Sequence, residues 1–442
     1  MQVEAWLLRA ARMAPDAVAI ETGQGKLTYA ELWDAARLAA AELDGRGARR
    51  GEQVAIVLPA GIDFAIALHA CLLLGAIAVP IDLRLTPAER ERTVAEASVV
   101  VERALRGPVS ADALMTEAEH DLDAVCAVIH TSGTTSRPRP VQLTYGNFLW
   151  SALGSNVALG GVANECWLCT LPLAHVGGLS ILLRSAIYAS TAVIHERFDT
   201  ERVLAALEEE QITLVSLVAT TLARLLDAGL REPPALRYAL TGGGPVPDSL
   251  VRRASEAGVR VAGTYGLTEA CSQVSTGAAP LFCTRVRIEP DGEILVRGPT
   301  VAPGSVAADG WLHTGDLGAI GADGELRVSG RAGETIISGG ENVAPAEVEA
   351  VLESHPDVLE AAVVGREDDQ WGEAVNAVVV LRPDPAPSGQ GMPAVPPAGV
   401  VEAELRAHCA EHLAPFKVPK SVTLRTTPLP RTRSGKLLRR EL

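Results

Sequence analysis

The sequence predicts an α/β fold: a large N-terminal part of parallel-rich sheets and helices with a small β-barrel-like region, followed by a small α+β C-terminal part. Three observations carry this. Apolar runs of strand length alternate with segments of helical periodicity through the first two thirds of the chain. From about residue 285 the texture changes to short strands separated by turns, as at Asp291-Gly292 and Asp323-Gly324. After Gly330-Arg331 a compact segment has helical periodicity near 345–354 and 401–413, around strand-like runs near 358–365 and 374–382.

Each element has a local reason. Thr28 and Glu31 form a capping box ahead of apolar residues at helical spacing through Leu43. Residues 54–58 form a short apolar run of the kind buried in parallel sheets. Residues 64–81 approach membrane-spanning length, yet His69, Gly75 and Pro80 interrupt them, which predicts a helix followed by a buried strand. Strands at 124–129, 191–194 and 214–218 alternate with helices at 147–158 and 203–210. Residues 382–399, with six prolines, read as a surface loop. The division expected is 1–331 and 332–442.

At 442 residues the chain has room for two packed units. A 48% hydrophobic and 21% charged composition excludes disordered, collagen-like and disulfide-scaffold classes. The net charge of −15 and the 4% aromatic share work against nucleic-acid and membrane partners. That total hides a basic end: residues 414–442 carry eight Lys and Arg against Glu441, a net of +7. The seven cysteines are scattered through apolar stretches, as expected for buried reduced thiols in the cytoplasm. Cys166 and Cys169 lack a second pair of metal ligands and read as strand residues. No secretory signal or membrane-inserting segment is expected.

The chemistry concentrates in a few segments. Thr131, Ser132, Gly133, Thr134 and Thr135 follow a predicted strand and lead to Arg139. Hydroxyls and backbone amides in such a loop surround phosphate oxygens, and a guanidinium adds paired charged donors, which suits a nucleotide polyphosphate. The loop lacks the Walker A order, and a plain polar turn is the alternative. Tyr265, Gly266, Thr268 and Glu269 put a ring, a flexible glycine, a hydroxyl and a carboxylate after another strand-like run. Beside a phosphate, Glu269 needs an intervening cation and so reads as a Mg²⁺ ligand; taken alone, Thr268 and Glu269 fit a helix N-terminus equally well.

Together with Gly242-Gly243-Gly244, Trp311-Leu312-His313-Thr314-Gly315-Asp316 and Ser434-Gly435-Lys436, these segments resemble the AMP-forming adenylating superfamily of acyl-CoA synthetases, in order and over nearly the whole chain. The resemblance implies two steps. A carboxylate attacks the α-phosphate of ATP, giving an acyl-adenylate and pyrophosphate; the mobile C-terminal domain then rotates, and the thiol of coenzyme A displaces AMP. It implies that the 131–139 loop holds the β- and γ-phosphates, that Tyr265 and Gly242, Gly243 and Gly244 lie near adenine and the acyl group, and that Gly266 lines the substrate. Thr268 would touch the α-phosphate, Glu269 would bind Mg²⁺, and Asp316 and Arg331 would hold the ribose. Lys436 would be the adenylation lysine, His175 would sit at the mouth of the acyl pocket, and Gly339 and Gly340 would line the pantetheine tunnel. The 371–373 and 417–420 segments match further signatures that read as structural.

The chain departs from the family pattern at Ser136, Arg139 and Pro140, and Pro140 removes a backbone donor from the loop. At the hinge it carries Gly333, which accepts a large φ/ψ change without steric cost. Residues 175–199 look like the 2-succinylbenzoate:CoA ligases of menaquinone and phylloquinone synthesis. An arginine on the otherwise apolar helix after His175, Arg184, needs an anionic partner or a route to solvent, and a dicarboxylate substrate offers the first. A structural salt bridge is the alternative. Another aryl- or acyl-CoA ligase is the second reading of function, and a non-catalytic adenylate-binding protein the third. A homodimer stays open as a partner state.

Overall fold

The computed structural model describes the chain apart from residues 108–117, 132–138, 245, 247, 278, 332–335, 344, 383–401, 426 and 431–438. The 382–399 loop expected from sequence therefore lies almost wholly outside the described residues. Contacts divide the chain into a larger unit, chiefly Met1–Leu83, Thr93–Thr131 and Pro140–Ala332, and a smaller one built around Gly333–Leu442 with Arg84–Arg92.

The larger unit is α/β. Its nine-stranded sheet runs in the order Ala279–Pro280, Ser272–Thr276, Val261–Leu267, Tyr238–Thr241, Leu214–Leu217, Cys166–Cys169, Thr191–Ile194, Val18–Thr22, Gly25–Thr28. The six strands from Val261–Leu267 to Val18–Thr22 are mutually parallel, and the pairs at each edge are antiparallel. A second, five-stranded sheet has Gln53–Ile56 and Ile77–Pro80 at its parallel centre. The apolar runs read from sequence are these strands, buried on both faces as parallel sheets require.

Helices fill the faces. Thr28 caps Tyr29–Gly45 with the expected capping box, its hydroxyl accepting from the Glu31 amide while the Glu31 carboxylate accepts from the Thr28 amide. Ile62–Leu74 is buried almost all round and ends at Gly75 in the left-handed conformation, φ 70°, before Ile77–Pro80. No described helix is long and apolar enough to cross a membrane. The short-strand region forms a four-stranded antiparallel sheet, Arg285–Ile288, Glu293–Arg297, Leu312–Ile320 and Leu326–Arg331.

The smaller unit is α+β. Gly372–Leu381 pairs antiparallel with Val358–Asp368 and parallel with Ser421–Arg425, and helices Pro345–Glu353 and Glu402–His412 bury Val348, Leu352, Leu405 and Cys409 against the sheet. The 371–373 and 417–420 signatures are structural here. The Trp371 carbonyl accepts from the Gly339 amide at 2.7 Å, the Glu373 carboxylate from the Ile337 amide at 2.7 Å, and Lys420 lies 4.2 Å over the Trp371 ring. Lys417 is buried, with its ammonium 2.7 Å from Glu347 and 3.2 Å from Glu89.

Two buried histidines of the larger unit set a pH limit. His120 stacks on Tyr145 with ring centroids 4.2 Å apart and meets Trp6 edge-on. Burial lowers the pKa of His69 to about 4 and that of His120 to about 3. Between those values and the unfolded value near 6.5 the unfolded chain binds more protons, so their contribution is complete above about pH 6.5 and is lost as the pH falls, down to about 4 for His69 and about 3 for His120. The urea midpoint is expected to drop across that window. His120→Phe, which keeps a ring in the stack, is expected to make the decline shallower by about one proton's worth; an unchanged slope would contradict this.

Candidate active site

Parallel pairing sends every strand of the large sheet's centre out at one edge. The order reverses at Cys166–Cys169: the chain goes next to Thr191–Ile194 on one side and then to Leu214–Leu217 on the other. Loops leaving on either side of such a switch point diverge and leave a crevice between them, where open α/β sheets bind ligands. His175 follows Cys166–Cys169, Gly242 follows Tyr238–Thr241, and Thr268 follows Val261–Leu267.

His175 is the N-cap of helix Val176–Tyr188, in extended conformation, with its Nε2 3.6 Å from a carboxylate oxygen of Asp82. Asp82 carried only a weak sequence signal, an acid just past a buried apolar run.

The glycines have packing reasons that sequence alone could not supply. A Cβ on Gly242 would lie 2.3 Å from the Thr264 hydroxyl, and Gly243 has φ 80°. The ladder between Val261–Leu267 and Ser272–Thr276 slips at Tyr265/Gly266, and there a Cβ on Gly266 would fall 1.7 Å from the Ser272 carbonyl. The chain then makes one 3-10 turn, Thr268–Ala270, and Cys271 and Ser272 follow at φ 50° and 87°. Such strained non-glycine backbone concentrates at functional sites. Glu269 is half-buried, and its carboxylate has no hydrogen-bond or ion-pair partner among the described residues. An acceptor-only oxygen donor in that state fits Mg²⁺.

Asp316 is buried and reached from two sides. The Tyr265 hydroxyl donates to its Oδ2 at 2.8 Å, and its amide donates to the Thr314 hydroxyl, which donates to the Ile294 carbonyl. Arg331 is its register partner across the ladder from Leu326–Arg331, so the two residues expected at the ribose are neighbours in the backbone. Asp316 also fixes the Tyr265 ring, a link between the two sheets that sequence did not reveal.

Arg184 is 2% exposed on the Val176–Tyr188 helix. One guanidinium nitrogen donates to Ser151 Oγ at 2.9 Å, the Trp167 ring lies 5.5 Å away, and Nε has no partner. No carboxylate pairs with it among the described residues, so the structural salt bridge is absent there. Burial draws its pKa below the ordinary arginine value. Nine positions separate it from His175, about 13 Å along the axis and half a turn around it. Ser151 is one of two serines on a largely apolar helix and gave no warning of this role.

Thr131 ends strand Val125–Thr131 and Arg139 opens strand Arg139–Thr144. Ser132, Gly133, Thr134, Thr135, Gly333 and Lys436 lie outside the described residues. In the smaller unit Gly339 and Gly340 form a turn between two strands at φ 61° and 84°.

A family model described as AMP-binding enzyme matches residues 7–103 and 100–306, and one described as AMP-binding enzyme C-terminal domain matches 347–436. The 2-succinylbenzoate–CoA ligase of Bacillus licheniformis is 38% identical, over 99% of this chain and 98% of that protein. A double mutant of o-succinylbenzoate CoA synthetase from Bacillus subtilis, bound with the product analogue OSB-NCoA, matches with a TM-score of 0.91 at 35% identity, covering 100% of this chain and 98% of the other. The Bacillus subtilis enzyme in complex with ATP and magnesium ion matches at 0.73 and 34% identity, covering 100% of both chains.

Tyr265→Phe removes the donor to Asp316 and leaves a buried carboxylate short of one partner. It is expected to lower stability by about 1–3 kcal/mol in urea titration. Gly266→Ala, which sets a methyl against backbone, is expected to cost more than Tyr265→Phe; the reverse ranking would contradict the packing described.

Proposed function

The chain belongs to the AMP-binding enzyme family, in its 2-succinylbenzoate–CoA ligase branch, and we propose that it converts 2-succinylbenzoate, ATP and coenzyme A into 2-succinylbenzoyl-CoA, AMP and pyrophosphate. The observation that carries the choice of acid is Arg184, a buried guanidinium with no carboxylate beside it among the described residues, toward the far end of the helix that His175 starts.

In the first step the succinyl carboxylate attacks the α-phosphorus and the bond to the pyrophosphate oxygen breaks. The aromatic carboxylate stays ionised and pairs with Arg184, which orients the acid with its reacting end toward His175 and Thr268. Glu269 would hold Mg²⁺, which would supply positive charge to offset that of the phosphates. Thr131, the 132–135 loop and Arg139 bind the β- and γ-phosphates, and Lys436 meets charge developing on the α-phosphate. Asp316 and Arg331 hold the ribose, an ionised acceptor suiting two hydroxyls. Tyr265 and the 242–244 glycines flank adenine, and Gly266 lets the acyl group approach the backbone.

In the second step the CoA sulfur attacks the acyl carbon, the acyl–phosphate bond breaks, and AMP leaves. Residues 332–442 act as the mobile domain of this exchange, Gly333 as its pivot, with Gly339 and Gly340 along the pantetheine path. The free thiols of all seven cysteines support a reducing compartment, the cytoplasm. The acidic net charge supports small molecules rather than nucleic acid as partners, and a homodimer is compatible with the reading.

The test is a panel of carboxylic acids with ATP and CoA, read by pyrophosphate release, in which 2-succinylbenzoate is expected to lead; preference for a monocarboxylate would overturn the assignment. Arg184→Met is expected to keep or raise thermal stability, because it replaces a buried lone cation with an apolar side chain. It is expected to raise KM for 2-succinylbenzoate roughly tenfold or more, the loss of one charge-assisted pair, while leaving KM for ATP unchanged. Gly333→Pro is expected to spare adenylate formation and abolish thioester formation, and Lys436→Ala to do the opposite. Equal loss of both half-reactions in either variant would contradict its role.

A further inference from the structure

The helix Glu402–His412 of the smaller unit carries chemistry that acyl transfer does not use. We propose that His408, Glu411 and His412 form a binding site for a divalent transition metal, with Zn²⁺ as its type ion.

The two histidines are four positions apart, so they stand one above the other on one face of the helix, the spacing by which helical zinc motifs present two imidazoles. One nitrogen of each ring and a carboxylate oxygen of Glu411 lie within 4.8 Å of one another. Donors about 2.1 Å from a tetrahedral zinc lie about 3.4 Å apart, so small side-chain rotations close the set. Two nitrogens and one carboxylate favour zinc and its transition-metal neighbours over magnesium or calcium, which take oxygen cages.

The hydrogen bonds around the rings select the lone pairs. His408 Nε2 lies 3.1 Å from the Val351 carbonyl and 2.9 Å from the Ser354 hydroxyl, which itself donates to Val351. A carbonyl only accepts, so Nε2 carries the proton and Nδ1 keeps the free pair. His412 Nδ1 lies 2.8 Å from the His408 carbonyl, so its free pair is on Nε2. Metal-bound imidazoles are oriented by this kind of outer hydrogen bond from the other ring nitrogen.

The frame is firm and the mouth open. Leu405, Cys409 and Leu413 anchor the adjoining face of the helix in the core, and His355 packs edge-on against His408 at 5.1 Å. Glu411 and His412 are exposed and His408 is half-buried, which leaves the remaining coordination positions to water.

The test uses the full-length chain without an affinity tag, stripped of metal by a chelator and titrated with zinc chloride near neutral pH against a competing chromophoric chelator. One zinc per chain in the micromolar range is expected, with shifts at His408 Nδ1 and His412 Nε2 in ring-nitrogen NMR. His412→Gln and Glu411→Gln change exposed side chains, and each is expected to weaken binding about tenfold or more. His313→Gln, in the competing cluster of His313, Glu293 and Asp309, is expected to leave it unchanged. Equal affinity in His412→Gln and the wild type, loss in His313→Gln, or no binding at millimolar zinc would overturn the proposal.

Discussion

Parallel pairing constrains everything else in the larger unit. Strands that run the same way cannot be joined by tight turns, so each returns through a helix and releases its loop at the same edge. Because the order reverses at Cys166–Cys169, those loops part at one place. His175, the 242–244 glycines and the 265–269 segment lie far apart in the chain, yet each follows a strand of the same parallel set, and register brings Gly242 against Thr264. The antiparallel sheet adds Asp316, which accepts a hydrogen bond from Tyr265.

Two buried cations show how differently a protein treats structural and available charge. Lys417 has carboxylates at 2.7 and 3.2 Å, which compensate its removal from water. Among the described residues Arg184 has one hydroxyl and one ring face. Taking an ion out of water costs several kcal/mol, roughly, and neither partner of Arg184 returns that.

Much of the fold was legible in the sequence. The capping box at Thr28 and Glu31, the strand Thr191–Ile194 and the Gly75 helix stop follow from local patterns, whose energetics act within a few residues. The site was legible where it is made of contiguous motifs. Partners were not legible: Asp82 beside His175, Ser151 beside Arg184, and Tyr265 on Asp316 are pairings that no spacing encodes. The glycine at 266 was legible, but its reason was not. A place lining the substrate was expected of it, and what the fold adds is the Ser272 carbonyl lying where a Cβ would be.

The sequence by itself determined the alternation of elements, the grammar of a nucleotide-using ligase and the residue types that its chemistry needs, because propensity, periodicity and motif order are carried by neighbouring residues. Only the tertiary structure decided which charges are compensated and which are not, which lone pairs of His408 and His412 stay free, and why Gly242 and Gly266 tolerate no side chain. Burial and hydrogen-bond partnership belong to the packed chain, and each depends on residues that meet only after folding.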